Sequence, residues 1–219
     1  MATEDPRIAI LVDGLIAGRA TLEAELARVA VPLRDRPPRE GRWSIGQILE
    51  HLVIVESGVT RLLAKLIPTA PARPGEEAFD ADVFRREMAM PFVVDRMQRL
   101  QSPERTWPGG RMNAATAWDS LLETRRALLD LVRTADGHAL ERVSFPHALL
   151  GPFDLYQWIA FVGLHEARHA AQIREVSEQM VESAPSSGGG PDQRPPERSI
   201  PDPQHRHPAR KHVDPSTST

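Results

Sequence analysis

The sequence predicts an all-α protein: a four-helix bundle with up-down-down-up order, followed by a disordered C-terminal tail. Three observations support this prediction. Apolar residues recur at helical spacing along four long segments, no segment alternates apolar and polar residues between hairpin turns, and aromatic residues make up only 5% of the 219 residues. We expect one folded domain over residues 1–182 and the tail over residues 183–219.

The first two predicted helices are defined by an apolar stripe and by signals at their ends. Helix one spans about residues 6–30, with Pro6 in its first turn and Pro32 beyond its end. Helix two starts at Ser44, which Gln47 follows at the capping-box spacing, and it stops at Pro68. The stripes consist of Ile8, Leu15, Leu22 and Val29 in helix one and of Ile48, Leu52, Val55, Val59 and Leu62 in helix two.

The last two helices follow a long connection. Helix three spans about residues 113–134, and helix four starts at Asp154, with Gln157 again at the capping-box position. The connection over residues 68–112 contains a short predicted helix over residues 77–88. Because a connection of that length can cross the full length of a helix, helices two and three are expected to run parallel. That arrangement gives the up-down-down-up order.

Composition excludes several classes of function. The chain has no cysteine, which excludes a disulfide scaffold, a thiolate metal site and a cysteine nucleophile. Its formal net charge is −3, so no basic field indicates a nucleic-acid partner or an anionic membrane surface. The apolar run over residues 8–12 is too short to span a bilayer and lacks the features of a secretory signal, so we expect a cytoplasmic protein.

The tail is distinguished by its composition. From residue 185 to the end there are eight prolines, a run of three glycines and no aromatic residue. Such a segment cannot bury enough apolar surface to offset the entropy of ordering it, which predicts disorder. It carries His205, His207 and His212, which we interpret as having no specific metal-binding role.

Three histidines occupy apolar positions of the predicted helices. His165 and His169 are four residues apart on one face of helix four, and His51 lies between Ile48 and Val55 on helix two. An imidazole buried without a partner costs a few kcal/mol (about 1–3 by mutational data), so three of them need a shared explanation. One divalent metal ion provides it, and three protein ligands with an open position are typical of catalytic sites. A metal-free cluster of buried histidines remains the alternative.

The segment over residues 165–169 also matches the H-E-x-x-H pattern of zinc metalloproteases, which makes Glu166 a candidate general base. No third histidine follows at metzincin spacing, and no sheet is expected that could bind an extended peptide, so we disfavour a protease. Glu56 and Gln47 are weaker candidates for orienting a ligand. We interpret Trp158 as a core residue rather than a cavity wall, and His147 as a surface-loop residue rather than part of the site mouth.

Two blocks of sequence resemble a known family. Residues 43–52 (WSIGQILEHL) and residues 150–173, with Leu150-Gly151-Pro152 and then His165-x-x-Arg168-His169-x-x-Gln172-Ile173, are similar to the second and last helices of the DinB superfamily, the DinB/YfiT-like metalloenzymes. The resemblance covers about residues 7–180. It implies an up-down-down-up bundle that holds one metal ion through His51, His165 and His169. The C-terminal tail is not part of the usual domain of this family.

The resemblance also sets the functional expectations. Many members are described only as metal-dependent hydrolases, some are S-transferases or isomerases that use a low-molecular-weight thiol, and members often form homodimers. We therefore expect a metal-dependent hydrolase or thiol S-transferase acting on a small molecule, with zinc or nickel as the metal and iron or manganese as alternatives. A thiol must then be a cosubstrate, since the chain has no cysteine. A non-catalytic bundle that binds a metal or a partner is the alternative function.

Overall fold

The computed structural model describes residues 5–74, 78–97 and 102–182. Within these ranges the chain forms six α-helices and one β-hairpin. The elements are α1 (Pro6–Ala27), α2 (Ile45–Leu66), α3 (Ala81–Met88), α4 (Pro91–Val94), α5 (Ala114–Arg133), β1 (Ser144–His147), β2 (Gly151–Asp154) and α6 (Leu155–Glu182). The predicted tail over residues 183–219 lies outside the described residues. No described helix is long and apolar enough to cross a membrane.

The predicted helix starts are confirmed by their hydrogen bonds. The Ser44 side chain accepts from the backbone N–H of Gln47 (3.2 Å), and the Gln47 side chain accepts from the backbone N–H of Ser44 (2.9 Å), which is a complete capping box. Asp154 and Gln157 make the same reciprocal pair at the start of α6 (2.8 and 3.0 Å). Asn113 caps α5 through the N–H of Thr116 (2.8 Å).

Helices α1 and α6 run parallel and touch backbone to backbone. Gly18 faces Gly163 so closely that a Cβ built on Gly18 would overlap the Gly163 carbonyl oxygen. Further along the same two helices, Arg174 pairs with Glu25. Because both residue numbers increase together from one contact to the next, the two helices point the same way. Glycine is needed at this crossing because it leaves room for the two backbones.

The other long pair, α2 and α5, is also parallel. Gly46 lies beside Ala114 at the start of both helices, and Glu56 pairs with Arg125 about three turns later in each helix. The C-terminal half of α1 shares a buried apolar cluster with the N-terminal half of α2, so those two helices are antiparallel. The predicted up-down-down-up order is therefore confirmed, and the long connection that carries α3 and α4 makes it possible.

A layer of four charged side chains separates two apolar clusters in the bundle core. One cluster lies toward the N-termini of α1 and α6 and the C-termini of α2 and α5. The other cluster lies toward the opposite ends of these four helices. Each of the four long helices contributes one residue to the layer, which consists of Arg19, Glu56, Arg125 and Glu166. Its formal charge is zero, and its members are buried.

The expectation that the chain contains no sheet is wrong at one place. Strands β1 and β2 pair antiparallel, with Ser144 opposite Asp154 and Pro146 opposite Pro152. Each strand has four residues, carries a proline and is largely exposed, so it lacks the alternation that identifies a strand in a sequence. The one-turn helix α4 was also not predicted, and the short helix expected over residues 77–88 spans Ala81–Met88.

Candidate metal centre

The three histidines of interest come together between α2 and α6. One ring nitrogen from each of His51, His165 and His169 lies within 4.8 Å of the other two. The Nε2 atoms of His165 and His169 are 3.1 Å apart, and the His51 ring centroid is 5.2 and 4.9 Å from those of His165 and His169. Residues from two helices, more than one hundred positions apart in the chain, therefore present imidazole nitrogens to one point.

Hydrogen bonds orient two of the rings. The Nδ1 of His51 donates to the backbone carbonyl of Thr106 (2.7 Å), and the Nδ1 of His169 donates to the side-chain oxygen of Gln172 (2.7 Å). A neutral imidazole has one N–H, so a proton on Nδ1 leaves the Nε2 lone pair unprotonated. This is the pattern found around metal-ligating histidines, whose second nitrogen donates to a carbonyl or carboxylate.

Burial keeps these rings neutral. It lowers the pKa of His51, against the opposing effect of the Thr106 carbonyl. It lowers the pKa of His165 and His169 well below the ordinary value of 6.5, and the positive charge that a protonated neighbouring imidazole would carry lowers both further. All three rings are therefore uncharged at neutral pH, with one nitrogen of each free of a proton, which is the state that binds a metal ion.

Glu50 fixes the loop that orients His51. Its buried carboxylate accepts three backbone N–H groups, from Gly109 (3.2 Å), Gly110 (2.9 Å) and Arg111 (3.1 Å). The same loop supplies the Thr106 carbonyl that accepts from His51. The residue directly before the histidine on α2 thus anchors the segment that holds the histidine ring.

Glu166 does not point to the three histidines, where a general base for this site would act. Its Oε1 accepts from Arg19 Nε (2.8 Å) and its Oε2 accepts from Arg125 Nη2 (2.8 Å), inside the charged layer. On a helix, residues four apart share a face, whereas the next residue along is turned about 100° away. The structure therefore brings His165 and His169 together and does not bring Glu166 to them.

The two residues considered for orienting a ligand have other partners. Glu56 belongs to the charged layer, where Arg125 Nε donates to its Oε1 (2.8 Å). Burial raises the pKa of Glu56, and the charge of Arg125 opposes that shift. Gln47 is occupied by the capping box at the start of α2. The groups that orient the histidines are instead the Thr106 carbonyl and the Gln172 side chain.

A cavity of about 920 Å³ opens over the three histidines. Trp158 and His147 both line it. Trp158 is also buried in the apolar core, as interpreted from the sequence, so it fills the core and walls the cavity at once. His147 was interpreted as a surface-loop residue, but it lies at the end of β1 and is part of the cavity lining. The Nδ1 of His147 accepts the backbone N–H groups of Leu149 and Leu150 (3.2 Å each), which places the proton of the neutral ring on Nε2. Burial lowers the pKa of His147, and the charge of Arg105 lowers it further.

Comparison with known proteins assigns the family. Residues 14–173 match the sequence model of the DinB superfamily. The chain belongs to the DinB superfamily. The resemblance noted in the sequence is thereby confirmed, over most of the chain. A relative in Bacillus subtilis (strain 168), the uncharacterized protein YuaE, is 25% identical over 168 residues, which cover 75% of this chain and 97% of YuaE.

Two solved structures are similar to this DinB-superfamily chain. One is YfiT from Bacillus subtilis, which is described as a probable metal-dependent hydrolase with an unusual four-helix bundle topology. It is 18% identical with a TM-score of 0.50, and the match covers 82% of this chain and 91% of YfiT. The other is the four-helix bundle protein TT2238, which is 20% identical with a TM-score of 0.49, and the match covers 77% of this chain and 98% of TT2238. At such identities the likeness to YfiT concerns the fold.

The histidines of this DinB-superfamily chain were identifiable from its sequence, but two of the residues that orient them were not. Glu50 and Thr106 act through backbone groups of a loop, and such partners leave no mark in a side-chain pattern. Gln172 does carry a signal, because it follows His169 by three residues and so lies on the same face of α6.

Proposed function

We propose that this DinB-superfamily chain is a metal-dependent enzyme that binds one divalent cation through His51, His165 and His169. It acts on a small molecule, either as a hydrolase or as an S-transferase that uses a low-molecular-weight thiol. The observation that carries the proposal is the convergence of three imidazole nitrogens at the base of a large cavity. Zinc or nickel is the expected metal, with iron or manganese as alternatives.

The residues present fit such an ion. The donor set is three neutral imidazoles, and two of them have the opposite nitrogen held by a carbonyl or amide oxygen. In the described ranges, the histidine, aspartate and glutamate side chains that can share one metal ion are these three histidines alone. The protein therefore supplies three ligands and leaves the cavity side open, which is typical of catalytic sites rather than structural ones.

A divalent ion held in this way supplies Lewis acidity and lowers the pKa of a water molecule or thiol at its open position. The chain itself holds the three rings in place, through Thr106 for His51 and Gln172 for His169. Trp158 and Phe161 line the cavity, and Phe161 stacks on the ring of His165 (5.1 Å between centroids). His147 also lines the cavity, with the proton of its neutral ring on Nε2.

Metal analysis tests the proposal directly. We expect the untagged protein to contain about one equivalent of a transition metal ion, and the His165→Ala variant to contain none. His138→Ala is the matched control, since His138 bonds to the Ala70 carbonyl and does not line the cavity. Metal retained equally in both variants would place the ion outside this site, for example on the tail histidines, and would refute the proposal.

Turnover separates the enzyme from a non-catalytic metal-binding bundle. The protein loaded with the metal found by that analysis should hydrolyse a member of an ester, amide and phosphoester panel, or transfer a low-molecular-weight thiol to an electrophile. The activity should be lost in His169→Ala and kept in His138→Ala. Stoichiometric metal without turnover on either panel would favour the non-catalytic alternative.

A further inference from the structure

The cavity over the histidines is basic. Among the described residues that line it, the formally charged side chains are Arg42, Arg96, Arg105, Arg168 and Glu175. The lining thus carries four positive charges and one negative charge, and the nearby imidazoles are neutral because they are buried. The chain as a whole has a net charge of −3, so this basic character belongs to the cavity and not to the protein surface in general.

Two of the arginines have partners that explain their presence. Arg96 donates to both carboxylate oxygens of Glu175 (3.0 and 2.5 Å), which uses the acidic residue of the lining. Arg168 donates to the backbone carbonyls of Val93 (3.2 Å) and Asp95, and so fixes the segment around α4. These side chains have structural roles.

The other two arginines stand at the mouth of the cavity. Arg42 and Arg105 are exposed, and no hydrogen bond or ion pair of either side chain is formed with the described residues. Each also acts on a residue of the cavity lining. Burial and then the charge of Arg105 lower the pKa of His147, and the hydrogen bond with Arg96, followed by the charges of Arg96 and Arg42, lowers the pKa of Glu175. Two guanidinium groups therefore border the opening, and neither is hydrogen-bonded to a carboxylate of the part of the chain that the structure describes.

The remaining wall is apolar and aromatic. It includes Trp43, Trp107, Phe145, Trp158 and Phe161. Trp107 and Phe145 are each 43% exposed, so both offer apolar surface to a molecule in the cavity. A wall of this kind packs against an aromatic or aliphatic group, whereas guanidinium groups form charge-assisted hydrogen bonds with carboxylate or phosphate oxygens.

We propose that the substrate of this cavity is an amphipathic anion, with an apolar body packed against the aromatic wall and a carboxylate or phosphate group bound by Arg42 and Arg105. This inference rests on the proposed function in one respect: it names the substrate class of the same cavity.

Binding of a matched series of naphthalene compounds tests the inference. The probes are 2-naphthylacetate and 2-naphthyl phosphate, with 2-naphthylacetamide as the neutral control and 2-naphthylethylamine as the cationic one. Three of the four tryptophans line the cavity, so intrinsic fluorescence and calorimetry both report binding. We expect at least one of the two anions to bind about tenfold more tightly than the amide, the amine to bind least, and the advantage to shrink as salt is added. The ranking of acetate against phosphate identifies the anionic group.

Variants show which residues cause the preference. Arg42→Gln and Arg105→Gln should each weaken anion binding about two- to fivefold and leave amide binding unchanged, because each removes one partly solvated charge. Arg126→Gln is the matched control, since Arg126 is exposed on α5, does not line the cavity and carries the same charge. Equal affinity for the anions and the amide, or an anion preference that the double variant Arg42→Gln/Arg105→Gln keeps, would overturn the inference.

Running the series with and without metal distinguishes this inference from the proposed function. A preference present in metal-free protein and lost in the double variant supports the arginines as its cause, even if no metal site is found. A preference for the anions that requires metal and survives in the double variant comes from coordination of the anion by the metal ion. That result would overturn this inference and leave the proposed function standing.

Discussion

Replacing Glu166 with glutamine separates its role in the buried ion-pair layer from the general-base role that the sequence suggested. Glu166→Gln conserves the size of the side chain and removes one negative charge from the buried layer. Arg19 and Arg125 then share the single carboxylate of Glu56. The new amide also presents N–H donors to guanidinium donors, so at least one of the present hydrogen bonds has no acceptor.

The expected cost is large, because these groups are buried. The side chains of Glu166 and Glu56 are 1% and 2% exposed, and that of Arg125 is 6% exposed. Removing one partner of a buried ion pair destabilises a protein by about 3–5 kcal/mol, because a charge is left buried without compensation. For a chain of this size that corresponds to a fall in melting temperature of roughly 6–20 °C.

Urea unfolding and thermal unfolding measure the effect, with Glu123→Gln as the control. Glu123 is exposed on α5, so its substitution should change the free energy of unfolding by less than about 0.5 kcal/mol. Adding Arg19→Gln to Glu166→Gln restores the neutrality of the layer, and a double-mutant cycle should show a coupling energy of at least about 1 kcal/mol.

The opposite result would place Glu166 in catalysis rather than in the ion-pair layer. If Glu166 were the general base, Glu166→Gln would keep the stability of the wild type within about 1 kcal/mol and lower the turnover rate about 10²- to 10⁴-fold. Stability is measured on metal-free protein, so that a change in metal binding does not enter the comparison.

Three further predictions follow from the geometry. Gly18→Ala should lower the melting temperature, because the added Cβ would overlap the backbone of α6. Gly14→Ala on the same helix is the control: its Cβ meets nothing within 4 Å, so this variant should have a slightly higher melting temperature than the wild type. A Gly18→Ala protein as stable as the wild type would contradict the close crossing of the two helices. Glu50→Ala should weaken metal affinity about ten- to a hundredfold in protein that remains helical by circular dichroism, because the loop that holds the His51 ring loses three hydrogen bonds. Unchanged affinity in a competition titration would show that these hydrogen bonds are not needed to orient His51. Metal-free protein should lose stability as the pH falls below 6.5, because His165 and His169 stay neutral in the folded state and are protonated in the unfolded state. The slope of the free energy of unfolding against pH approaches about 1.4 kcal/mol per pH unit for each ring. A free energy of unfolding that stays constant between pH 8 and 5.5 would contradict the low pKa values of these rings.

Local signals allowed the sequence to predict the helices well. The capping boxes at Ser44 and Asp154 involve residues three apart, so their geometry depends on no distant part of the chain. The hairpin gave no comparable signal, because its pairing of Pro146 with Pro152 depends on a turn and not on a periodic pattern. The histidines were found because each interrupts an apolar stripe.

The charged layer was missed although it has the same kind of signal. In three of the four long helices a charged residue comes four positions after one core residue and three before the next. These triplets are Leu15-Arg19-Leu22, Leu52-Glu56-Val59 and Leu121-Arg125-Leu128, and Val162-Glu166-Ala170 is the variant with spacing four and four. Two positive and two negative charges on buried stripes indicate a neutral ion-pair layer, but their pairing depends on which helices are neighbours. That information enters only with the bundle topology.

The layer and the histidine site constrain each other through the register of α2 and α6. Apolar clusters alone tolerate a shift of one helix along another by one turn, about 5.4 Å, since leucines and isoleucines would meet similar partners. The same shift would carry Glu56 away from Arg125, and it would carry His51 away from His165 and His169. Because an unpaired buried charge costs more than a repacked methyl group, the layer selects the one register in which the three imidazoles meet. We therefore infer that the charged residues beside the site position it without touching any ligand.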